Sequence, residues 1–266
     1  MSKYYKVFVT WLVFIALVLT ENYWTPAGFL KNPAVSIIFD EIILILVVVA
    51  LNVFWLKQEI SIKPTVSIKE QLAVTWLPLV AYLFLNITAV SFLSHIGRSK
   101  PIGTLLLFYA AAVLVGIAEE YLFRGLIIST ILSSFNKITY KSVMYAAIIS
   151  SLTFGLTHGI NLTSQSVLAT VVQAASAAMT GFLSAAILLR TGSILWPMLF
   201  HAMNDGMTFI AAGIGDSKIV SLSPVYLVPL LLGFWLLRRS KFFDKNGDST
   251  ESFTNFSRKI TDHISN

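Results

Sequence analysis

The stretch VGIAEEYLFRGLII, from Val115 to Ile128, places Glu119, Glu120 and Arg124 in the middle of an otherwise apolar run. A charge at the centre of a membrane-spanning helix costs about 2.5–3.5 kcal/mol on insertion scales, so these groups are expected to face a polar interior. Glu120 and Arg124 are four residues apart and share one helical face, with the acid on the N-terminal side, an order that suits an ion pair. Glu119 is turned about 100° away and is left without that partner. One carboxylate is thus neutralised structurally and the other is available for chemistry.

Two further segments carry polar groups at similar depth. FGLTHG places His158 four residues after Phe154, and FHAMND places His201 three and four residues before Asn204 and Asp205. A free carboxylate and a neutral imidazole can hold one water between them. The carboxylate takes its proton, and the oxygen attacks a peptide carbonyl. The second histidine and its amide or acid neighbour can donate hydrogen bonds to the oxyanion that forms. Taken singly, the Glu120–Arg124 pair could be structural glue, and either histidine an ordinary hydrogen-bonding residue between helices. Their joint occurrence is what points to a site. Glu119, His158 and His201 could also supply three zinc ligands with an open fourth position, although no HExxH is present.

These residues must be carried by helices. Eight apolar segments run near Val7–Thr20, Ile37–Leu56, Leu72–Leu93, Ile102–Leu132, Val143–His158, Val167–Leu189, Ile194–Ala212 and Leu222–Leu237. Each approaches the length that crosses a bilayer, about 20 residues. The expected fold is all-α: a polytopic membrane bundle of about eight transmembrane helices around an intramembrane polar cavity. Residues 1–237 form one membrane domain, with its motif core at 115–212, and 238–266 a polar, mobile tail. No small-x-small cleavage site follows Leu19, so the first segment reads as an uncleaved span. Depth poses a difficulty. His158 lies about 22 Å along a segment that starts at Val143, whereas His201 lies about 10 Å from Ile194. Both starts fall at the same membrane surface, so tilt, or a fifth helix that starts outside the hydrocarbon near Lys137, is needed for the two to meet.

Composition agrees with a membrane protein: 56% of the 266 residues are hydrophobic and only 12% charged, and the mean hydropathy is +0.77. Cysteine is absent, which excludes disulfides, thiolate nucleophiles and thiolate metal sites. The net charge of +6 fits basic residues at the cytoplasmic ends of spans and calls for no nucleic-acid partner. With the N-terminus inside, the inner segments hold Lys3, Lys6, Lys57, Lys63, Lys69, Lys137, Lys141, Arg190, Arg238, Arg239, Lys241 and Lys245. The outer loops hold only Lys31, Arg98, Lys100 and Lys218. That bias places both termini in the cytoplasm.

EEYLFR, FGLTH and HAMND, in this order, resemble the EExxxR, FxxxH and Hxxx(N/D) motifs of the CPBP (Abi) family of glutamic intramembrane proteases. The family includes type II CAAX prenyl proteases and bacterial bacteriocin-processing and self-immunity proteins. The resemblance implies an intramembrane endopeptidase that needs no cofactor and acts on a membrane-associated peptide or protein, in a bacterial plasma membrane. By the same resemblance Glu119 matches the general base, His158 its partner in holding water, and His201 and Asp205 the oxyanion pair. Glu120 and Arg124 fill the remaining motif positions. The last motif position is Asp, and an ionised carboxylate only accepts hydrogen bonds. Either Asp205 is protonated, or Asn204 is the donor, or Asp205 orients His201; the i+4 spacing favours Asp205. A non-proteolytic immunity scaffold or transporter is the alternative outside enzymes. An aspartyl protease reading rests on weak echoes of GxGD at Gly213–Asp216 and YD at Phe39–Asp40, and the GxSG serine motif of rhomboids is missing.

Overall fold

The computed structural model describes residues 2–26, 28–29, 31–97, 101–212, 227–242, 250 and 253–256. Every helix start that carries a side-chain cap uses a residue suited to it. Ser2 opens α1 (Lys3–Trp24), and Asn32 followed by Pro33 opens α2 (Pro33–Leu51). A reciprocal Thr139–Ser142 capping box opens α6 (Tyr140–Thr157), and Ser166 opens α7 (Val167–Thr191). Each such cap stabilises its helix by about 1 kcal/mol. α7 ends at Gly192, whose φ of 67° is left-handed, a conformation glycine adopts without steric penalty. The remaining helices are α3 (Ile68–Gly97), α4 (Ile102–Glu120), α5 (Ile128–Leu132), α8 (Leu195–Ala212) and α9 (Leu227–Leu236).

The fold is an all-α bundle, as expected. Each of the eight apolar segments lies on a helix as far as it is described. Among the described residues, five helices are long and apolar enough to cross a membrane: Lys3–Glu21, Pro33–Leu56, Ile102–Leu132, Tyr140–Thr163 and Val167–Thr191. The motif helices form the centre. α4 packs chiefly on α8 and on α2, and α6 packs on α7. Small residues permit these close approaches. A Cβ on Gly116 of α4 would lie 3.1 Å from the Met198 carbonyl oxygen of α8, and one on Gly155 of α6 would lie 2.6 Å from the Ala174 carbonyl oxygen of α7. Large side chains such as Tyr4, Phe54, Trp76 and Phe84 are exposed on the outside of the bundle, where a bilayer would cover them.

α4 does not simply continue to Leu132. It passes through a π-helical stretch, Tyr121–Ile127, before α5. Such wide turns are rare, leave backbone groups irregularly paired and recur at functional sites. Here neighbours hold the turn in place. The Ser150 hydroxyl donates to the Phe123 carbonyl at 2.7 Å, and the Asn52 amide donates to the Tyr121 hydroxyl at 2.9 Å. Asn52 itself begins a second π turn, Asn52–Leu56, at the end of α2.

The segment after α2 settles the question of depth. Residues 57–67 tuck against the α7–α8 connection: Ile194 N donates to Ser61 O at 2.8 Å, Thr65 N to Thr191 O at 3.1 Å, and Ser61 Oγ to Gly192 O at 2.6 Å. Ile60 and Ile194 both reach Gly125, to within 3.1 and 3.2 Å of where its Cβ would be. The chain entering α8 is therefore level with Gly125, several residues before α5 ends. From that offset start His201 needs only about two turns to reach the level of Glu119.

Arg98, Lys100, Lys218 and Lys245, like the Gly213–Asp216 motif, lie outside the described residues. Of the tail expected to be mobile, the described residues pack onto the protein: Phe242, Phe253 and Phe256 are buried, with the Phe242 and Phe253 rings 5.0 Å apart, edge to face. Their apolar rings supply the anchoring that the polar composition around them hides.

Candidate active site

All three motif segments come together, on α4, α8 and the end of α6. At the centre is His201 of α8. Its Nδ1 lies 2.8 Å from Glu120 Oε1, and its Nε2 lies 3.2 Å from Glu119 Oε2 and 3.3 Å from Asp205 Oδ2. Both ring nitrogens thus face carboxylate oxygens. An imidazole has two N–H groups only when doubly protonated, so the arrangement suits an imidazolium shared among three acids. Asp205 in turn accepts from Asn204 Nδ2 on its other oxygen at 3.2 Å.

Glu120 is buried completely, as is Arg124, whose Nη1 is 2.9 Å from Glu120 Oε1. The contact is one of charge more than of aim, since none of the three guanidinium nitrogens has a hydrogen-bond partner among the described residues. The guanidinium instead lies over the Phe154 ring, 4.4 Å from its centroid, a stacking arrangement whose attraction grows in the absence of water. Gly181 of α7 makes room for it: a Cβ there would sit 2.5 Å from Arg124 Nη2 and 3.0 Å from the Phe154 ring. Glu119 and Asp205 differ from this sealed pair, being 17% and 21% exposed. The accessible side of the cluster is therefore the side of Glu119 and Asp205.

His158 closes α6. Its Nδ1 is 3.0 Å from the Phe154 carbonyl oxygen. A carbonyl only accepts, so Nδ1 carries the hydrogen, and in the neutral ring Nε2 is left as an acceptor. The Phe154 ring meets the His158 ring edge to face at 4.9 Å and the His201 ring at 5.7 Å. Phe154 therefore touches Arg124, His158 and His201 and fixes their mutual positions. Sequence reasoning had assigned it no role.

One expectation from the sequence needs correction. Glu120 is not confined to Arg124, because it also binds His201. A helix wheel describes α4 alone, whereas α8 presents one imidazole across both glutamates. The sequence reading also passed over Glu41, an acid within the second apolar segment, and the buried Tyr82 of α3, whose ring lies 5.3 Å from that of Phe200. The adjacent acids Asp40 and Glu41 within an aliphatic run were the available signal for the first; nothing in the sequence distinguishes the second. Among the described residues no three His, Asp or Glu side chains are grouped so as to hold a metal ion, and no step below is routed through one. A cavity of about 260 Å³ lies apart from this cluster, lined by Val66, Arg190, Trp235 and Lys241 among others.

No curated protein and no solved structure matches the chain. Residues 101–207 match the family described as type II CAAX prenyl endopeptidase Rce1-like. That stretch contains all three motifs and every group of the cluster around His201, so the match supports the resemblance to the CPBP/CAAX protease family read from the motifs.

Proposed function

We propose that the protein is an intramembrane endopeptidase that hydrolyses a peptide bond of a membrane-associated protein or peptide with a water activated by Glu119 and His158. The observation that carries this reading is the convergence of Glu119, Glu120 and Asp205 on His201, with Arg124 behind Glu120 and His158 held beside them by Phe154.

In this reading a water donates one hydrogen to Glu119 and the other to the Nε2 acceptor of His158. Glu119 removes a proton as the water oxygen bonds to the carbonyl carbon. The carbonyl π bond becomes an oxyanion, which His201 stabilises through N–H donation. Asp205 holds that imidazole in position, and Glu120, backed by Arg124, holds its other nitrogen. When the oxyanion collapses the C–N bond breaks, and Glu119 returns its proton to the leaving amine. Of the three roles open to Asp205, orientation of His201 fits best, since both its oxygens already accept. Asn204 then acts through Asp205.

The family's description favours a CAAX-type substrate. Bacteriocin or other peptide processing follows only from the wider family resemblance, as does a bacterial plasma membrane with both termini in the cytoplasm. Consistent with that topology, Lys6, Lys57, Lys63, Arg190 and Arg238 belong to segments that meet at one end of the bundle. The test is cleavage of a prenylated CAAX peptide and of an unprenylated hydrophobic peptide by the purified protein in micelles. Glu119→Gln, which keeps the shape but not the base, should abolish turnover. Activity that survives in Glu119→Gln defeats the reading.

A further inference from the structure

Glu41 of α2 takes no part in the contacts described so far. Ala34 and Val48, seven residues to either side, and Leu44, three residues on, are each only 1% exposed. Residues at this spacing lie on one helical face, and α2 turns its buried face principally to α4. Glu41 therefore stands on the inward seam of the bundle, not on the lipid side. Its neighbour Asp40 is fully engaged, accepting from Thr25 and from Ser36. Glu41 contrasts with it: its Oε2 is buried and has no hydrogen-bond partner among the described residues. The charged groups that bear on it are Glu119 first, then Glu21, Asp205 and Asp40, all of them acidic.

Charge bookkeeping makes this placement informative. Around His201 the carboxyls of Glu119, Glu120 and Asp205 face at most two cations, Arg124 and the imidazolium. Glu41 adds a further acid and no counter-charge. A carboxylate with a buried, unpartnered oxygen is expensive and calls for a cation or a proton. Resting on the peptidase reading, we propose that Glu41 is a recognition residue, which pairs with a cationic group of the substrate, a lysine or arginine side chain or a free amine, lodged beside Glu119 between α2 and α4. Such a cation would supply the donor that Oε2 lacks and offset the surplus of negative charge. The site would then select peptides with a basic residue near the scissile bond.

Binding tests this independently of catalysis. The probe is a fluorescent apolar peptide of about 20 residues with one central lysine, set against a twin carrying norleucine, which has similar length and no charge. Anisotropy titrations use the full chain in micelles, as wild type and as Glu41→Gln. Wild type should bind the lysine peptide about tenfold or more tightly, the scale of one desolvated charge pair, and in Glu41→Gln the ratio should fall towards one. A wild-type ratio near one means that a proton, not a cation, satisfies Glu41, and overturns the proposal. A ratio that persists in Glu41→Gln places the cation elsewhere and overturns it too. Should Glu41→Gln not fold, Glu41→Asp withdraws the charge by one methylene and should shrink the ratio; an unchanged ratio counts against Glu41. Cleavage is scored separately, with Glu119→Gln as the blank. A Glu41-dependent preference without Glu119-dependent cleavage refutes the peptidase reading alone, and the converse refutes only the role of Glu41.

Discussion

Replacing Glu120 by glutamine separates the structural from the chemical part of the cluster. Glu120 Oε1 is shared by Arg124 Nη1 at 2.9 Å and His201 Nδ1 at 2.8 Å, and the glutamate and arginine side chains are both 0% exposed. Glutamine retains an oxygen acceptor but removes the charge, and Arg124 then keeps the Phe154 and Phe123 rings, at 4.4 and 6.0 Å, as near neighbours able to attract it. Removing one partner of a buried ion pair costs about 3–5 kcal/mol, because the other charge is left uncompensated. The cation–π contact returns no more than about 2 kcal/mol, and the native protein already has it. We therefore expect Glu120→Gln to lose about 3 kcal/mol or more in equilibrium unfolding in mixed micelles, with lower abundance in the membrane. Glu119→Gln, at a carboxylate 17% exposed, should cost less than Glu120→Gln, since Glu120 and Asp205 still face His201, while abolishing turnover. Equal destabilisation by the two substitutions, or a Glu120→Gln protein as stable as wild type, would refute the reasoning that divides the two acids.

Gly181→Ala places a methyl group 2.5 Å from Arg124 Nη2. It should cost about 1–3 kcal/mol by overpacking, and turnover should fall as Arg124 is pushed from Glu120; Gly181→Ala with wild-type activity and unfolding would show that the arginine has room to move. Asp205→Asn removes the carboxylate that faces His201 Nε2 at 3.3 Å and should lower turnover by about 10²-fold at every pH, the size of a misplacement near 1 Å; preserved turnover that no longer falls as pH rises would return Asp205 to the role of a protonated donor, since an asparagine amide donates at every pH. Asn204→Ala should be mild, because its amide meets only Asp205 Oδ1 within hydrogen-bond range among the described residues; a loss of about 10²-fold, as when an oxyanion donor is removed, would make Asn204 that donor instead. Phe154→Leu removes the ring over Arg124 and should cost about 1–2 kcal/mol of stability, together with turnover, since His158 and His201 lose their common wedge; normal unfolding and kinetics would deny Phe154 its positioning role.

The sequence by itself determined the bundle of helices and which ionisable groups stand within it. Apolar segments of near-spanning length leave the backbone few alternatives to helix in a bilayer, and Glu119, Glu120, Arg124, His158, His201 and Asp205 stand out because ionisable groups are costly at that depth. The i,i+4 relation of Glu120 and Arg124 was also legible, since it depends on one helix alone. The partners of His201 were not. They depend on where α8 starts, and that start is set by residues 57–67 packing beneath the α7–α8 connection and by Ile60 and Ile194 meeting Gly125. Hydropathy measures how apolar a segment is, not its height in the bundle, so the depths of His158 and His201 looked incompatible. The π turn at Tyr121–Ile127 was hidden for a similar reason: Ser150 and Asn52, from other helices, satisfy groups it leaves irregular. Glu41 reads in the sequence as the second of two adjacent acids, after Asp40, in an aliphatic run. Only the packing of α2 on α4 turns it towards Glu119, because which face of an almost uniformly apolar helix points inward is decided by its neighbours and not by its own pattern.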